Sequence, residues 1–223
     1  MFAELKYIPE AWSNAWRSRS FRNQLILSLL FCVGVGAHQF HFLRLWQDRS
    51  GIQINDVILN LFPPADFSFP IFALEYSSIL LVFIFALAAP ERLVKGLQMF
   101  ALIFLARTVS VYLIPLEQPK DMIPLNDPMA SLLLHTPDVF VTKDLFFSGH
   151  ISAIALLMLI ATNKYIRGYA FACTIIVGVL IMWQHVHYSI DVLFAPLVSY
   201  VAYKFILYIH RETKYGLELA EAS

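Results

Sequence analysis

Charged residues are scarce in this sequence, and the few that are present cancel one another. Only 14% of the 223 residues are charged, against roughly 25% in ordinary soluble domains, while 59% are hydrophobic. The formal net charge is zero, which leaves no basic excess for holding nucleic acid. These deficits exclude an ordinary soluble domain and a nucleic-acid-binding protein, and they predict an integral membrane protein whose partners are lipids.

Cysteine is nearly absent as well, and the sequence has no internal repeat, low-complexity tract or linker. Cys32 and Cys173 each lie within an apolar stretch, where a small packing residue is a better interpretation than half of a disulfide. We therefore predict a single domain over residues 1–223. The sequence indicates no cofactor and leaves the oligomeric state open.

Long apolar stretches are what the sequence has in plenty. A hydrocarbon core about 30 Å thick needs about 20 helical residues, and six stretches reach or approach that length. They run over Asn23–Leu43, Phe69–Ala89, Leu93–Leu113, Leu145–Ala161, Gly168–Trp183 and Ile190–Ile209. The fold class is therefore all-α, a bundle of six transmembrane helices. Within residues 1–22, Trp12 and Trp16 alternate with polar residues, which predicts an N-terminal interfacial helix.

Basic residues divide unequally between the two ends of these spans. One end receives Lys6, Arg17, Arg19, Arg22, Arg92, Lys95, Lys164, Arg167, Lys204, Arg211 and Lys214. The other end receives Arg44, Arg49, Lys120 and Lys143. Because basic residues gather in cytoplasmic loops, both termini are predicted to be cytoplasmic. Two long connections, the first outer loop (Asp48–Asp66) and the second outer loop (Pro115–Lys143), then lie on the non-cytoplasmic face.

Two polar clusters interrupt the apolar sequence at that same face. Ser148-Gly149-His150 opens the fourth span, and the stretch from His187 to Asp191 opens the sixth. Ionisable residues within a membrane are costly, so these are functional candidates. His187 and Asp191 are four residues apart, which on a helix brings a carboxylate to the ring and orients a histidine base or nucleophile. We expect the pair at a solvated mouth; the alternative is an ion pair that only stabilises packing.

The first cluster is typical of a phosphate site. A helix N-terminus carries free N–H groups and partial positive charge, and the small residues Ser148 and Gly149 allow a phosphate to approach the backbone, with His150 beside it as an acid. The alternative is that Ser148 only caps a helix. Metal catalysis is disfavoured, because His185 and His187 would point to nearly opposite sides of a helix and no further ligands complete a site.

The two clusters resemble the signature motifs of a lipid enzyme family. The stretches Asp144–His150 and His185–Val192 are similar to those of sphingomyelin synthases and related headgroup transferases, a branch of the type 2 phosphatidic acid phosphatase-like (PAP2) superfamily. Upstream, Pro63–Asp66 and Arg107–Tyr112 also fit, and Glu75 falls where the family has an intramembrane glutamate. The resemblance covers a motif-bearing core over residues 63–192. This sequence departs from the pattern at Lys143, Ile151 and Ser189, where the family usually has Gly, Thr and Thr.

The resemblance implies a transfer at phosphorus in two steps. His187, aligned by Asp191, would attack the phosphodiester of a phospholipid and form a phosphohistidine, while His150 protonates the departing diacylglycerol. A lipid alcohol such as ceramide or diacylglycerol would then accept the headgroup, with His150 as base. Splitting the displacement in this way allows donor and acceptor to use one pocket in turn.

The remaining candidate residues take supporting roles in this scheme. Ser148, Gly149, Arg107, Asp144 and Tyr188 would bind substrate or phosphate, supported by Glu75, Asp66, Tyr112 and His185. Arg107 offers paired donors to a phosphate, the alternative being an arginine that snorkels to the interface. Glu75 is a candidate for binding a cationic headgroup or tuning a histidine, the alternative being a protonated packing residue.

Two other functions stay open. A lipid phosphate phosphatase or phospholipase-C-like hydrolase would use the same histidines with water as acceptor. The phosphatase branch places an arginine upstream of its final histidine, and the absence of Lys and Arg between Gly168 and Asp191 favours the transferase branch. A small transporter lined by these polar residues is disfavoured, because no repeat is present and the polar residues gather at one face.

Overall fold

The computed structural model describes residues 3–127 and 142–221, and this part of the chain is helical. Its α-helices are α1 (Ile8–Arg17), α2 (Arg19–Gln47), α3 (Ser68–Ala86), α4 (Pro90–Leu113), α5 (Gly149–Ile160), α6 (Lys164–Trp183) and α7 (Ser189–Glu221). Two 3-10 turns cover Ala3–Tyr7 and Leu59–Leu61. No strand occurs within the described ranges, and the all-α prediction is confirmed.

Five of these helices, α2, α3, α4, α6 and α7, are long and apolar enough to cross a membrane, as expected of an integral membrane protein. The fourth predicted span differs. Helix α5 has 12 residues, which gives a length of about 18 Å, too short to cross a hydrocarbon core on its own. The plan of six full-length helices is therefore not reproduced in the described residues, and the orientation of the termini stays a prediction.

The shortfall at the fourth span arises in the segment from Asp144 to Ser148. Phe146 has φ of 96°, outside the helical region. The carbonyl groups of Asp144 and Phe147 accept hydrogen bonds from Arg107, not from a following helical turn. Ser148 then begins α5 as its N-cap. A non-helical lead-in, buried against protein, therefore carries the residues of the first cluster.

Helix α5 lies at the centre of the bundle. It packs against α3, α4, α6 and α7, whereas α2 packs on α4 and α1 packs on α2. Ile151, Ile154 and Leu156 of α5 are buried in the main core together with Val177 and Ile181 of α6. This short helix has apolar residues around much of its circumference, and it is therefore suited to a position surrounded by other helices.

The N-terminal segment forms the predicted short helix. Ser18 is extended between α1 and α2, and its side chain accepts a hydrogen bond from the backbone N–H of Phe21. Trp12 Nε1 donates to the carbonyl oxygen of Leu87 at 2.8 Å, which ties α1 to the α3–α4 connection. The location of this helix at a membrane interface stays a prediction.

The two outer loops pack against each other. Ile52 donates to the carbonyl oxygen of Pro115 at 2.9 Å and accepts from Glu117 at 3.0 Å. A Cβ at Gly51 would lie 2.5 Å from the backbone carbon of Leu116, so only glycine fits this approach. Residues 128–141 of the second outer loop lie outside the described residues.

Candidate active site

His187 and Asp191 form a hydrogen-bonded pair. His187 Nδ1 lies 3.2 Å from Asp191 Oδ2. The spacing predicted this contact along one helical face, but α7 begins at Ser189, so His187 lies in the bend before the helix. Asp191 in the first turn reaches back, and its Oδ2 also accepts the backbone N–H of Tyr188 at 3.2 Å. The pair is therefore held at a helix start, where a carboxylate is favoured.

Both side chains are buried, and the expectation of a solvated mouth is wrong. His187 is 2% exposed and Asp191 is fully buried. Burial lowers the pKa of His187; the hydrogen bond and charge of Asp191 oppose this shift, while Arg107 and His150 lie close enough to lower it further. The ring is therefore neutral near pH 7. Because the carboxylate can only accept, the ring proton lies on Nδ1 and is hydrogen-bonded to Asp191, and Nε2 keeps its lone pair.

A backbone hydrogen bond joins the two clusters. The N–H of Ser148 donates to the carbonyl oxygen of Asp191 at 3.2 Å. Ser148 is buried, and its Oγ accepts from the N–H of Ile151 at 3.4 Å, as in the helix-cap interpretation. Its carbonyl oxygen accepts from Ser152 Oγ at 2.7 Å. The start of α5 is thus fixed relative to the first turn of α7, and the phosphate-binding role of Ser148 stays a prediction.

His150 stands on the first turn of α5 with 27% of its side chain exposed. Its Nε2 lies 3.9 Å from Glu75 Oε2 on α3, and its ring contacts Phe72 edge-on at 5.7 Å. His150 Nδ1 and Glu75 Oε2 are buried without a hydrogen-bond partner among the described residues. The structure therefore places Glu75 beside His150, and both roles expected for it, tuning a histidine and binding a cationic headgroup, stay predictions.

Arg107 is buried at 4% exposure, and the snorkelling alternative is wrong. Its Nε donates to Asp144 Oδ2 at 2.9 Å, and Nη2 lies 2.7 Å from the same oxygen and 2.8 Å from the Asp144 carbonyl oxygen. Nη1 donates to the carbonyl oxygen of Phe147. Most guanidinium donors are thus used to shape the lead-in to α5. A direct contact of Arg107 or Asp144 with phosphate stays a prediction.

Gly149 leaves room for this guanidinium group. A Cβ at position 149 would lie 3.2 Å from both Cζ and Nη1 of Arg107. The small residue in the first cluster therefore has a packing reason besides the expected approach of a phosphate.

Tyr188 joins the two outer loops. Its hydroxyl donates to the carbonyl oxygen of Glu117 at 2.9 Å and accepts from the N–H of Ile54 at 3.2 Å. The ring is buried against Leu59 and Leu116. In this arrangement the hydroxyl binds backbone, and its expected contact with substrate stays a prediction.

Asp66 and Tyr112 have structural contacts outside the histidine cluster. Asp66 Oδ1 accepts the backbone N–H of Ser68 at 2.9 Å and its hydroxyl at 2.7 Å, which lowers the pKa of Asp66 and starts α3. Tyr112 is 63% exposed, and its ring lies beneath the guanidinium of Arg49. Neither contact involves His150 or His187, and the supporting roles of Asp66 and Tyr112 stay predictions.

Two residues that the sequence analysis missed shape the site. Asp56 Oδ2 accepts the backbone N–H of Ser189 at 2.7 Å and so caps α7 from the first outer loop. Burial opposes ionisation of this carboxyl, but the hydrogen bonds it accepts outweigh that effect and lower the pKa of Asp56. Gln184 is fully buried. The sequence signal for Gln184 was its position as a single glutamine at the end of an apolar span, where a polar side chain needs hydrogen-bond partners.

His185 does not share a site with His187. Its ring nitrogens contact backbone carbonyl oxygens, Nδ1 that of Lys120 at 3.0 Å and Nε2 that of Phe62 at 3.1 Å. Over the described ranges, no three His, Cys, Asp or Glu side chains are grouped as metal ligands would be.

The structure thus brings the starts of α5 and α7, with His150 and the His187–Asp191 pair, to one part of the bundle. Residues 143–209 match the family model of the PAP2 superfamily C-terminal domain. This range contains His150, His187 and Asp191. The match covers less than a third of the chain, and it supports a relationship of this part to the PAP2-like superfamily. A comparison with curated proteins finds no match.

Proposed function

We propose that this protein is a membrane lipid phosphotransferase. It moves a phospholipid headgroup of the phosphocholine or phosphoethanolamine type to a lipid alcohol such as ceramide or diacylglycerol. The observation that carries the proposal is the buried His187, hydrogen-bonded through Nδ1 to Asp191, with His150 at the start of the adjoining helix. An oriented neutral imidazole with a free Nε2 is suited to covalent catalysis at phosphorus.

In the first step, the Nε2 lone pair of His187 attacks phosphorus in the donor lipid. The bond from phosphorus to the diacylglycerol oxygen breaks, and His150 gives its proton to that oxygen. The products are diacylglycerol and a headgroup phosphate bonded to His187. Asp191 stabilises the positive charge that develops on the ring.

In the second step, the acceptor alcohol attacks the phosphohistidine. His150 takes the hydroxyl proton, the phosphorus–nitrogen bond breaks, and His187 recovers its lone pair. Glu75 lies 3.9 Å from His150 and is placed to stabilise the charge that this histidine acquires. Both histidines then return to their starting protonation states.

The site is proposed to face the non-cytoplasmic side of the membrane. The excess of basic residues at the opposite end of the bundle supports this orientation. In the same plan, α5 with its lead-in takes the place of the fourth span, because the surrounding helices shield its irregular backbone.

Hydrolysis is the second candidate, because the PAP2 superfamily includes phosphatases as well as headgroup transferases, and the match is compatible with both. Water would replace the alcohol in the second step, with the same residues in the same roles. The two reactions differ only in the acceptor that reaches the phosphohistidine.

A product assay separates these functions. Purified protein in liposomes is incubated with a labelled choline or ethanolamine phospholipid, with and without ceramide, and products are read by mass spectrometry. A ceramide bearing the headgroup supports the transferase. Diacylglycerol with free phospho-headgroup, unaffected by ceramide, supports the hydrolase. Failure to convert any donor would contradict both.

A further inference from the structure

Gln184, three residues before His187, binds segments from two parts of the chain. Its Oε1 accepts the backbone N–H of Phe67, the residue that follows the first outer loop, at 2.7 Å. Its Nε2 donates to the Ile123 carbonyl oxygen at 3.1 Å, and its own carbonyl oxygen accepts the N–H of Ile123 at 3.2 Å. A fully buried amide with both ends bonded fastens these segments at one point.

His185 also lies between the two outer loops, and its neutral ring can donate a hydrogen bond to only one of the two carbonyl oxygens that it contacts. One nitrogen of its ring contacts the Phe62 carbonyl oxygen of the first outer loop, and the other contacts the Lys120 carbonyl oxygen of the second. Its backbone has φ of 57°, a left-handed conformation that costs energy in a non-glycine residue. The surrounding hydrogen bonds hold this turn, and the turn sets the direction of the chain two residues later at His187.

The residues that follow His187 are fastened too. Tyr188 bonds both loops through its hydroxyl, and the Ser189 N–H bonds Asp56. His187 itself lies in a bend without helical hydrogen bonds to support it. Its position therefore depends on the loops that its neighbours hold.

We propose that Gln184 and His185 are positioning residues, which fix the backbone of His187 by binding both outer loops. Neither residue contacts the reacting atoms in this scheme. A nucleophile displaced by about 1 Å can lose about 100-fold in rate, so the connection has a kinetic consequence. Only this kinetic consequence rests on the proposed function, since the geometry itself can be tested without turnover.

The kinetic test uses matched pairs of variants. His185→Gln and Gln184→Met are compared with His210→Gln and Gln98→Met, because His210 Nε2 and Gln98 Oε1 bond each other at 2.7 Å between the distant ends of α4 and α7. We expect kcat to fall about 100-fold in the first pair, with KM changed less than about threefold, and to stay near wild type in the second. Equal losses of kcat at equal losses of thermal stability in both pairs would overturn the proposal.

Two further measurements need no activity. Nitrogen-15 spectra of histidine-labelled protein report the ring tautomer of His187, and hydrogen exchange reports protection of residues 52–62 and 117–124. In His185→Gln we expect both loops to lose protection and the His187 signal to leave the Nδ1-protonated form. Unchanged spectra and protection would overturn the positioning role.

Should His185→Gln fail to fold, Gln184→Asn, which keeps the amide on a shorter side chain, gives the same readouts. If wild type converts no donor, the proposed function fails while these measurements still decide the inference.

Discussion

The backbone N–H of Ser148 donates to the carbonyl oxygen of Asp191 across 3.2 Å, which links two motifs that are 43 residues apart. The link fixes the N-terminus of α5 against the first turn of α7. His150 and His187 are carried by the two segments joined in this way. This main-chain bond is therefore one constraint on their relative placement, in addition to the side-chain contacts of Arg107, Gln184 and His185.

Asp191→Asn tests the orientation of the nucleophile. The amide can direct an N–H toward His187 Nδ1, which favours the tautomer with its proton on Nε2 and removes the lone pair. We expect kcat to fall by about 100-fold or more, measured as diacylglycerol release. The residue is fully buried and also holds the Tyr188 N–H, so a lower thermal midpoint is expected as well. Wild-type turnover in this variant would remove Asp191 from the mechanism.

His187→Gln tests the covalent step. We expect no acid-labile phosphoenzyme after incubation with phosphorus-labelled donor lipid, whereas wild type forms one. His210→Gln serves as the matched control, because it makes the same change at the distant end of α7. A labelled phosphoenzyme in His187→Gln would place the nucleophile elsewhere.

His150→Gln tests the acid. Loss of a general acid costs about 100- to 10,000-fold when the leaving group is an alcohol. We expect a much smaller loss with a p-nitrophenyl phosphodiester, because p-nitrophenolate leaves without protonation. The comparison is made from the two values of kcat/KM. Equal losses with both substrates would show that His150 does not protonate the leaving group.

Composition was sufficient to predict the membrane class and the helical fold. Long apolar stretches identify spans because an isolated helix must satisfy its own backbone in lipid. The fourth span could not be bounded in this way. Its first residues are apolar, yet Arg107, 37 residues before Asp144, bonds the carbonyl groups that a helix would have used.

The site was predictable in part. The spacing of His187 and Asp191 correctly predicted that their side chains are in contact. It wrongly placed both residues on one helix, because His187 lies in the bend before α7 and Asp191 reaches back to it from the first turn. The burial of both residues and the cap supplied by Asp56 depend on loops packed from distant sequence. Patterns within one segment carry no information on such partners.

Gly149→Ala tests the packing of the first cluster. The added methyl group would lie 3.2 Å from the Arg107 guanidinium and push it away from Asp144 and Phe147. We expect a loss of about 1–3 kcal/mol in unfolding free energy, measured in detergent. Gly168→Ala is the matched control, because nothing lies within 4 Å of the added atom. That variant should be neutral or slightly more stable, since alanine favours the helix.

The pH dependence of kcat/KM tests the protonation state of the nucleophile. Protonation of His187 removes its lone pair, so activity is present above its pKa and is lost as pH falls through it. Burial lowers this pKa from 6.5, which places the midpoint of the acidic limb below pH 6.5. The Asp191 carboxylate raises the pKa of His187 and so opposes the effect of burial. In Asp191→Asn the pKa of His187 should therefore be lower, and the midpoint of the acidic limb of the residual activity should move to lower pH. Rates measured from about pH 4.5 to about pH 8 give both midpoints. A wild-type midpoint above 6.5, or a limb that moves upward in Asp191→Asn, would contradict a neutral, carboxylate-supported His187.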